Sequence, residues 1–343
     1  MKSTVVGEFE QWSVQLDPVP ASSEGQPLVI HDSDGAERTI QDVVVGDVWI
    51  VTGTRNLASE LVSRRTEGEE GGLADLPLVR EFRIKTKARR FRTPRKLRME
   101  VGSGRYLASW QTADRDDVGD PPSVFAYHFA TQVQEPGVPL GIITLGSENP
   151  PLTWISYAGM QTAAGFEAER DELNLAYPNT DICKAAVEEY VETVKAYNST
   201  IAELLEAGRD LPVELADAAP AFPQPAYDQW ASRTETATHT YNFCISPLTP
   251  NAVTGVLWVP ARENVSEDVA RYGPALEAYA RSLAGTYGQE RVSFFHAQPA
   301  PGLVEGISAP DLPEGHGVLL EEWPRSLRAV AEELGALAAR DRP

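Results

Sequence analysis

The chain has 343 residues, 42% of them apolar, which suffices for a large core in one or two domains of a globular protein. Its net charge of −20 argues against wholesale binding to nucleic acid or to an anionic membrane surface. Its two cysteines, Cys183 and Cys244, are too few for a disulfide framework and are expected as buried free thiols.

The opening Met1-Lys2-Ser3-Thr4-Val5-Val6-Gly7-Glu8 lacks the apolar core of an export signal, so a cytoplasmic location is the default expectation. An extracellular one follows if a leader has been trimmed away. No run reaches the roughly 18 apolar residues that a membrane helix needs.

From residue 9 to 42, Trp12–Leu16, Pro27–Ile30 and Thr39–Ile40 alternate apolar and polar positions between turn residues, which predicts short strands. Val43–Val51 is almost continuously apolar, the mark of a strand covered on both faces. A helix is expected over Asn56–Arg65, then a Gly- and Glu-rich loop. Val79–Lys85 reads as a strand, Ser123–Val133 as a helix capped by Ser123, and Leu140–Leu145 as a buried strand. Asp181–Ala207 carries an apolar stripe at helical spacing, and Pro220–Pro225 leads back towards the core. Gly255–Val259 and Arg291–Ala297 are further strands, Glu267–Tyr287 and Glu321–Arg340 further helices. The alternation predicts an α/β fold with a mostly parallel, doubly wound sheet. Residues 1–42 form a short β-strand segment ahead of it, 43–343 the main domain, and 162–235 a helical insertion within that domain.

Four segments carry a resemblance. Val45-Gly46-Asp47-Val48-Trp49-Ile50-Val51-Thr52-Gly53-Thr54-Arg55-Asn56 matches the frame G-D-V-W-(L/I)-x-(S/T)-G-Q-S-N. Ser123–Ala130 resembles F-S-A-V-A-Y-x-F-A, Val138–Ile143 resembles V-P-I-G-L-I, and Tyr241–Pro250 resembles (L/M)-Y-N-x-M-I-x-P-L-x-P. Together they resemble the sialate O-acetylesterase branch of the SGNH hydrolases, along nearly the whole chain. The resemblance implies a flavodoxin-like α/β fold and, for an active member, hydrolysis of acetyl esters on carbohydrate without a cofactor or metal.

The same alignment puts the activity in question. The family's nucleophilic serine falls on Arg55, and a guanidinium is permanently charged and is no nucleophile. The preceding Gln position holds Thr54, while Asn56 is kept. The second block, S-S-W-G-G-T-P in relatives, reads Leu145-Gly146-Ser147-Glu148-Asn149-Pro150-Pro151, which puts Glu148 or Asn149 where the family has a bare glycine; a carboxylate there would repel an oxyanion. The third, W-Y-Q-G-E-S-N, reads Trp258-Val259-Pro260-Ala261-Arg262-Glu263-Asn264; it keeps the Trp and the terminal Asn, but the Gly and Glu before it are Ala261 and Arg262. Glu322–Arg328 resembles the helix that precedes the family's D-x-x-H. Asp311 and His316 give a D-x-x-x-x-H of the wrong spacing, ahead of that helix. The five histidines are scattered, and no metal-ligand spacing is present.

The expectation is therefore a non-catalytic binding or assembly protein built on a hydrolase scaffold. Arg55, Asn56, Glu148, Asn149, Arg262 and Asn264 are the candidate ligand-binding residues. Two arrangements are open for them: a salt-bridged plug in which Arg55 meets Glu148 or Glu263, and a cradle for a small anion or an acidic sugar, since Arg recognises carboxylates bidentately. The enzymatic alternative is a carbohydrate O-acetylesterase with an altered site using Thr52, Thr54 or Ser147. Separately, Arg83, Lys85, Lys87, Arg89, Arg90, Arg92, Arg95, Lys96 and Arg98 place nine cations within sixteen residues. That strip is expected either as a solvated surface or as a docking surface for an acidic face of another copy or a different protein.

Overall fold

The structure is a computed structural model that describes residues 2–5, 12, 14–59, 75–85, 107–112, 122–177, 179–223, 236–265, 269–313, 315–322 and 326–341. Two strands, β1 (Ser22–His31) and β2 (Glu37–Val45), form an antiparallel hairpin of their own. Arg80 ties it to the main sheet by donating to the Asp42 carbonyl at 2.7 Å and to its carboxylate at 2.8 Å.

Among the described residues, seven strands make the central sheet. In chain order they are β3 (Asp47–Gly53), β4 (Val79–Lys85), β5 (Leu107–Thr112), β6 (Leu140–Gly146), β7 (Gly255–Val259), β8 (Ser293–Pro299) and β9 (Gly317–Leu320). The spatial order is β5-β4-β6-β3-β7-β8-β9, and every pair is parallel except β4–β5. The predicted mixed α/β fold with a mostly parallel sheet is thus observed.

The helices are α1 (Val124–Val133), α2 (Tyr157–Thr162), α3 (Glu167–Ala176), α4 (Asp181–Glu206), α5 (Val213–Asp217), α6 (Tyr272–Tyr287) and α7 (Leu327–Arg340). Side chains of a strand alternate between the two faces of its sheet. In β3, Trp49 and Val51 join Phe125 and Phe129 of α1 and Leu334 of α7, while Ile50 joins Tyr279 and Leu283 of α6 on the other face. β7 divides in the same way, with Leu257 and Val259 on the α1–α7 side and Trp258 on the α6 side. These continuous apolar runs are buried because helices cover both faces.

Several expectations need correction. The apolar run from Val43 is split at Gly46, where a β-carbon would lie 2.0 Å from the Pro139 carbonyl oxygen, so it serves both the hairpin and the central strand. Residues 14–20 are irregular rather than a strand. The expected helix at Asn56 is a single 3-10 turn, Arg55–Ala58; residues 60–65 of that expectation lie outside the described residues. β5 and the four-residue β9 were not anticipated. The last helix starts at Leu327 rather than Glu321, as expected where Pro324 disfavours helical conformation before it.

Among the described residues of 162–235, the chain forms α3, α4 and α5. α4 has 26 residues but buries only Cys183 fully, and its half-buried stripe receives the returning chain through a bond of 3.0 Å from the Tyr197 hydroxyl to the Leu215 carbonyl. Arg271 fastens α3 from the α6 side: it pairs with Glu169, donates to the Gly165 carbonyl at 3.1 Å and lies 4.5 Å above the Phe166 ring. Both cysteines are buried free thiols. Among the described residues, no helix is long and apolar enough to cross a membrane.

A pH dependence follows from β8. Burial holds the His296 imidazole at a pKa of about 4, below its ordinary 6.5, and nearby His316 adds to the effect. The unfolded chain therefore takes up this proton before the folded one does, so the contribution is complete above pH 6.5 and falls as pH drops towards 4. The size is on the order of 3 kcal/mol. Urea midpoints measured across this window are expected to fall with acid in the wild type, with a flatter profile in His296→Gln; equal slopes would contradict this.

Candidate functional site

The register places three strand ends side by side. Gly53 of β3 is level with Gly146 of β6 on one side and Val259 of β7 on the other. The sheet grows in both directions from β3, and the carboxyl edge at such a switch is where open α/β sheets bind ligands. The loops that leave these three ends contain every residue of the expected ligand set.

The first loop is fixed closely. Gly53 has φ of +121°, a left-handed conformation suited to glycine, and a β-carbon there would meet the Val259 carbonyl oxygen at 2.1 Å. Thr54 is buried, its backbone N–H donates to that same carbonyl at 2.7 Å, and its hydroxyl oxygen accepts from the Asn56 N–H at 3.2 Å. Leu57 is fully buried below the turn, and Val124 at the start of α1 donates to the Ser59 carbonyl at 2.9 Å. Gly146 lets the turn cross over β6, since a β-carbon there would stand 2.9 Å from the Arg55 Cα.

Arg55 consequently projects outward beside the second loop. Its Nη2 meets Glu148 Oε2 at 2.8 Å, with 71% of the Arg55 side chain and 46% of the Glu148 side chain exposed. The expected pairing is present, but as a surface pair above the edge rather than as a plug within it. Asn56, Arg262 and Glu263 are also exposed.

Asn149 and Asn264 direct their side-chain amides to protein groups. Asn264 is fully buried; its amide donates to the carbonyls of Ser147 at 2.8 Å and Asn149 at 2.9 Å, and its oxygen accepts from the Ala261 N–H at 2.8 Å. Both amide hydrogens are thus engaged, leaving none for an oxyanion. The Asn149 side chain donates to the buried Thr240 hydroxyl at 2.8 Å. Thr240 belongs to the segment that enters the π-helical turn Tyr241–Ile245, just after Thr238, whose φ of +64° is strained for a β-branched residue. Sequence spacing gave no signal for this support.

The hydroxyls named as alternative nucleophiles are tied to backbone groups. Thr52 donates to the Leu257 carbonyl at 2.9 Å, and the Ser147 oxygen accepts from the Asn149 N–H at 3.3 Å. His316 stands at the other edge of the sheet, where its Nδ1 lies 3.1 Å from the Phe294 carbonyl near the start of β8. Its carboxylate neighbour is Asp341, at 3.6 Å, while Asp311 is exposed, so Asp311 and His316 do not form a dyad at the site. His128 faces Glu332 at 3.3 Å between α1 and α7. No group of three or more potential metal ligands occurs among the described residues.

The basic strip is described only at its start. Arg83 is buried beside Glu81, with Nε 3.6 Å from Oε2, so it is not part of an exposed docking surface. Lys85 ends β4; Lys87, Arg89, Arg90, Arg92, Arg95, Lys96 and Arg98 lie outside the described residues.

Fold and edge together define an α/β protein with a mostly parallel sheet and its polar loops at the carboxyl ends of the three middle strands. Among solved structures, a carbohydrate acetylesterase from Xanthomonas citri matches it with a TM-score of 0.58 at 19% sequence identity, over 97% of this chain. The chain spans 64% of the length of that protein. No protein-family model and no curated protein matches it.

Proposed function

We propose that the protein is a non-catalytic binding protein on a hydrolase scaffold, and that the Arg55 edge takes a small carboxylate, such as that of an acidic sugar. The observation behind this reading is the placement of Arg55 at the end of β3, held out to solvent by a turn that Thr54 caps and Leu57 anchors. Its guanidinium offers a planar fork of donors suited to a carboxylate. Arg262, exposed on the loop after the neighbouring strand, adds a second cation to the same edge.

The rival reading is a carbohydrate O-acetylesterase with an altered site, favoured by the acetylesterase fold of the structural neighbour. Against it stands the engaged amide of Asn264, which has no hydrogen left for an oxyanion. Assembly through the segment from Lys85 to Arg98 is a separate proposal, tested by oligomeric state against ionic strength.

Calorimetric titration with D-glucuronate and with uncharged D-glucose separates the carboxylate from the rest of the sugar. The expected result is weak, salt-sensitive binding of glucuronate, no heat with glucose, and at least about a tenfold loss in Arg55→Gln. Equal binding of both sugars, or unchanged binding in Arg55→Gln, would overturn the reading.

A further inference from the structure

We infer that Glu148 is an internal competitor for the Arg55 site, a built-in carboxylate that a ligand carboxylate must displace. This rests on the anion-binding reading above and adds how that site is regulated.

Three observations lead to it. First, the contact is end-on through a single nitrogen: Arg55 Nη2 meets Glu148 Oε2 at 2.8 Å, with no second bond of the fork to a described residue. An incoming carboxylate that takes two parallel N–H bonds makes the better-matched partner. Second, both side chains are substantially exposed, and ion pairs in that setting are weak and open readily.

Third, the backbones beneath the pair are held on both sides. The Arg55 turn is fixed by the Thr54 cap, by Leu57 and by the close approach at Gly146. The carbonyls on either side of Glu148, those of Ser147 and Asn149, both accept from the buried Asn264 amide. Opening the pair therefore requires rotation of two surface side chains and no movement of the loops. With Glu148 in place the Arg55 charge is paired; with Glu148 swung away, Arg55 presents an unshared charge at the edge that also carries Arg262. A ligand must also tolerate the displaced carboxylate nearby, which sets a preference for a single compact anionic group over a polyanion.

The test is titration of D-glucuronate into the wild type, Glu148→Gln, Arg55→Gln and the double variant. The latch predicts about three- to fivefold tighter binding in Glu148→Gln, with the gain abolished when Arg55→Gln is added. Binding detected only in Glu148→Gln, and lost in the double variant, supports the same latch in a stronger form. Arg55-dependent binding in the wild type that Glu148→Gln leaves equal or weaker overturns the latch and leaves the anion site standing. Absence of binding in both the wild type and Glu148→Gln overturns the latch together with the reading beneath it. Unchanged thermal midpoints in the surface variants confirm that affinities are compared between folded proteins.

Discussion

Asn264→Asp is expected to destabilise the protein by about 3–5 kcal/mol, read as a shift of the urea midpoint at neutral pH. The side chain is fully buried, and its amide hydrogens hold the carbonyls of Ser147 and Asn149 while its oxygen takes the Ala261 N–H. Aspartate keeps the shape but turns the donor into a charged acceptor facing two carbonyl oxygens. The loop after β6 and the loop after β7 would lose their link, and a buried charge would remain without a counter-ion. This separates two roles for the residue. A side chain reserved for a reacting oxyanion would lower a rate on substitution and leave stability nearly unchanged; a side chain that joins two loops does the reverse. A midpoint unaffected by Asn264→Asp would show that the three bonds contribute little.

The second large effect is expected at Glu81, on β4. Its side chain is 1% exposed and accepts from the Ser123 N–H at 2.7 Å and from the Thr144 hydroxyl at 2.7 Å, with the buried Arg83 guanidinium beside it. Glu81→Ala takes away one carboxylate neighbour of Arg83 and the acceptor shared by the Ser123 N–H and the Thr144 hydroxyl. Leaving two buried donors without this acceptor costs about 2–4 kcal/mol. Ser123 also caps α1, accepting from the Ala126 N–H at 3.1 Å, and the next residue bonds to Ser59 at the end of the Arg55 turn. Damage at Glu81 is therefore expected to reach the candidate site, and glucuronate binding should weaken along with the midpoint. A Glu81→Ala variant within about 1 kcal/mol of the wild type would contradict the buried network.

The fold was legible where local chemistry and periodicity agree. β4 and β7 coincide with the strands expected at Val79–Lys85 and Gly255–Val259, and α1 begins directly after its capping serine. α4 was legible because its stripe repeats over 26 residues. β9 was not, because four residues in a Pro- and Gly-rich stretch carry no period of their own and become a strand only beside β8. The run across Gly46 showed apolar character but not the division, which depends on the close approach of Pro139. At the site, alignment with the family blocks put Arg55 near Glu148 or Glu263, and the pair present is the one with Glu148, at the surface. It could not give the inward turn of Asn149 and Asn264, because a side-chain direction set by contacts more than 90 residues away leaves no local mark. The same applies to His316, whose neighbour Asp341 lies at the far end of the last helix.

The measurement that tests the central claim most directly is acetyl ester hydrolysis, with 4-nitrophenyl acetate as substrate and the wild type, Arg55→Ala, Thr54→Val and Ser147→Ala assayed together. The account predicts rates equal to buffer for all four proteins. Turnover well above buffer in the wild type that Thr54→Val or Ser147→Ala abolishes would contradict it and establish an esterase in which another residue replaces the missing serine.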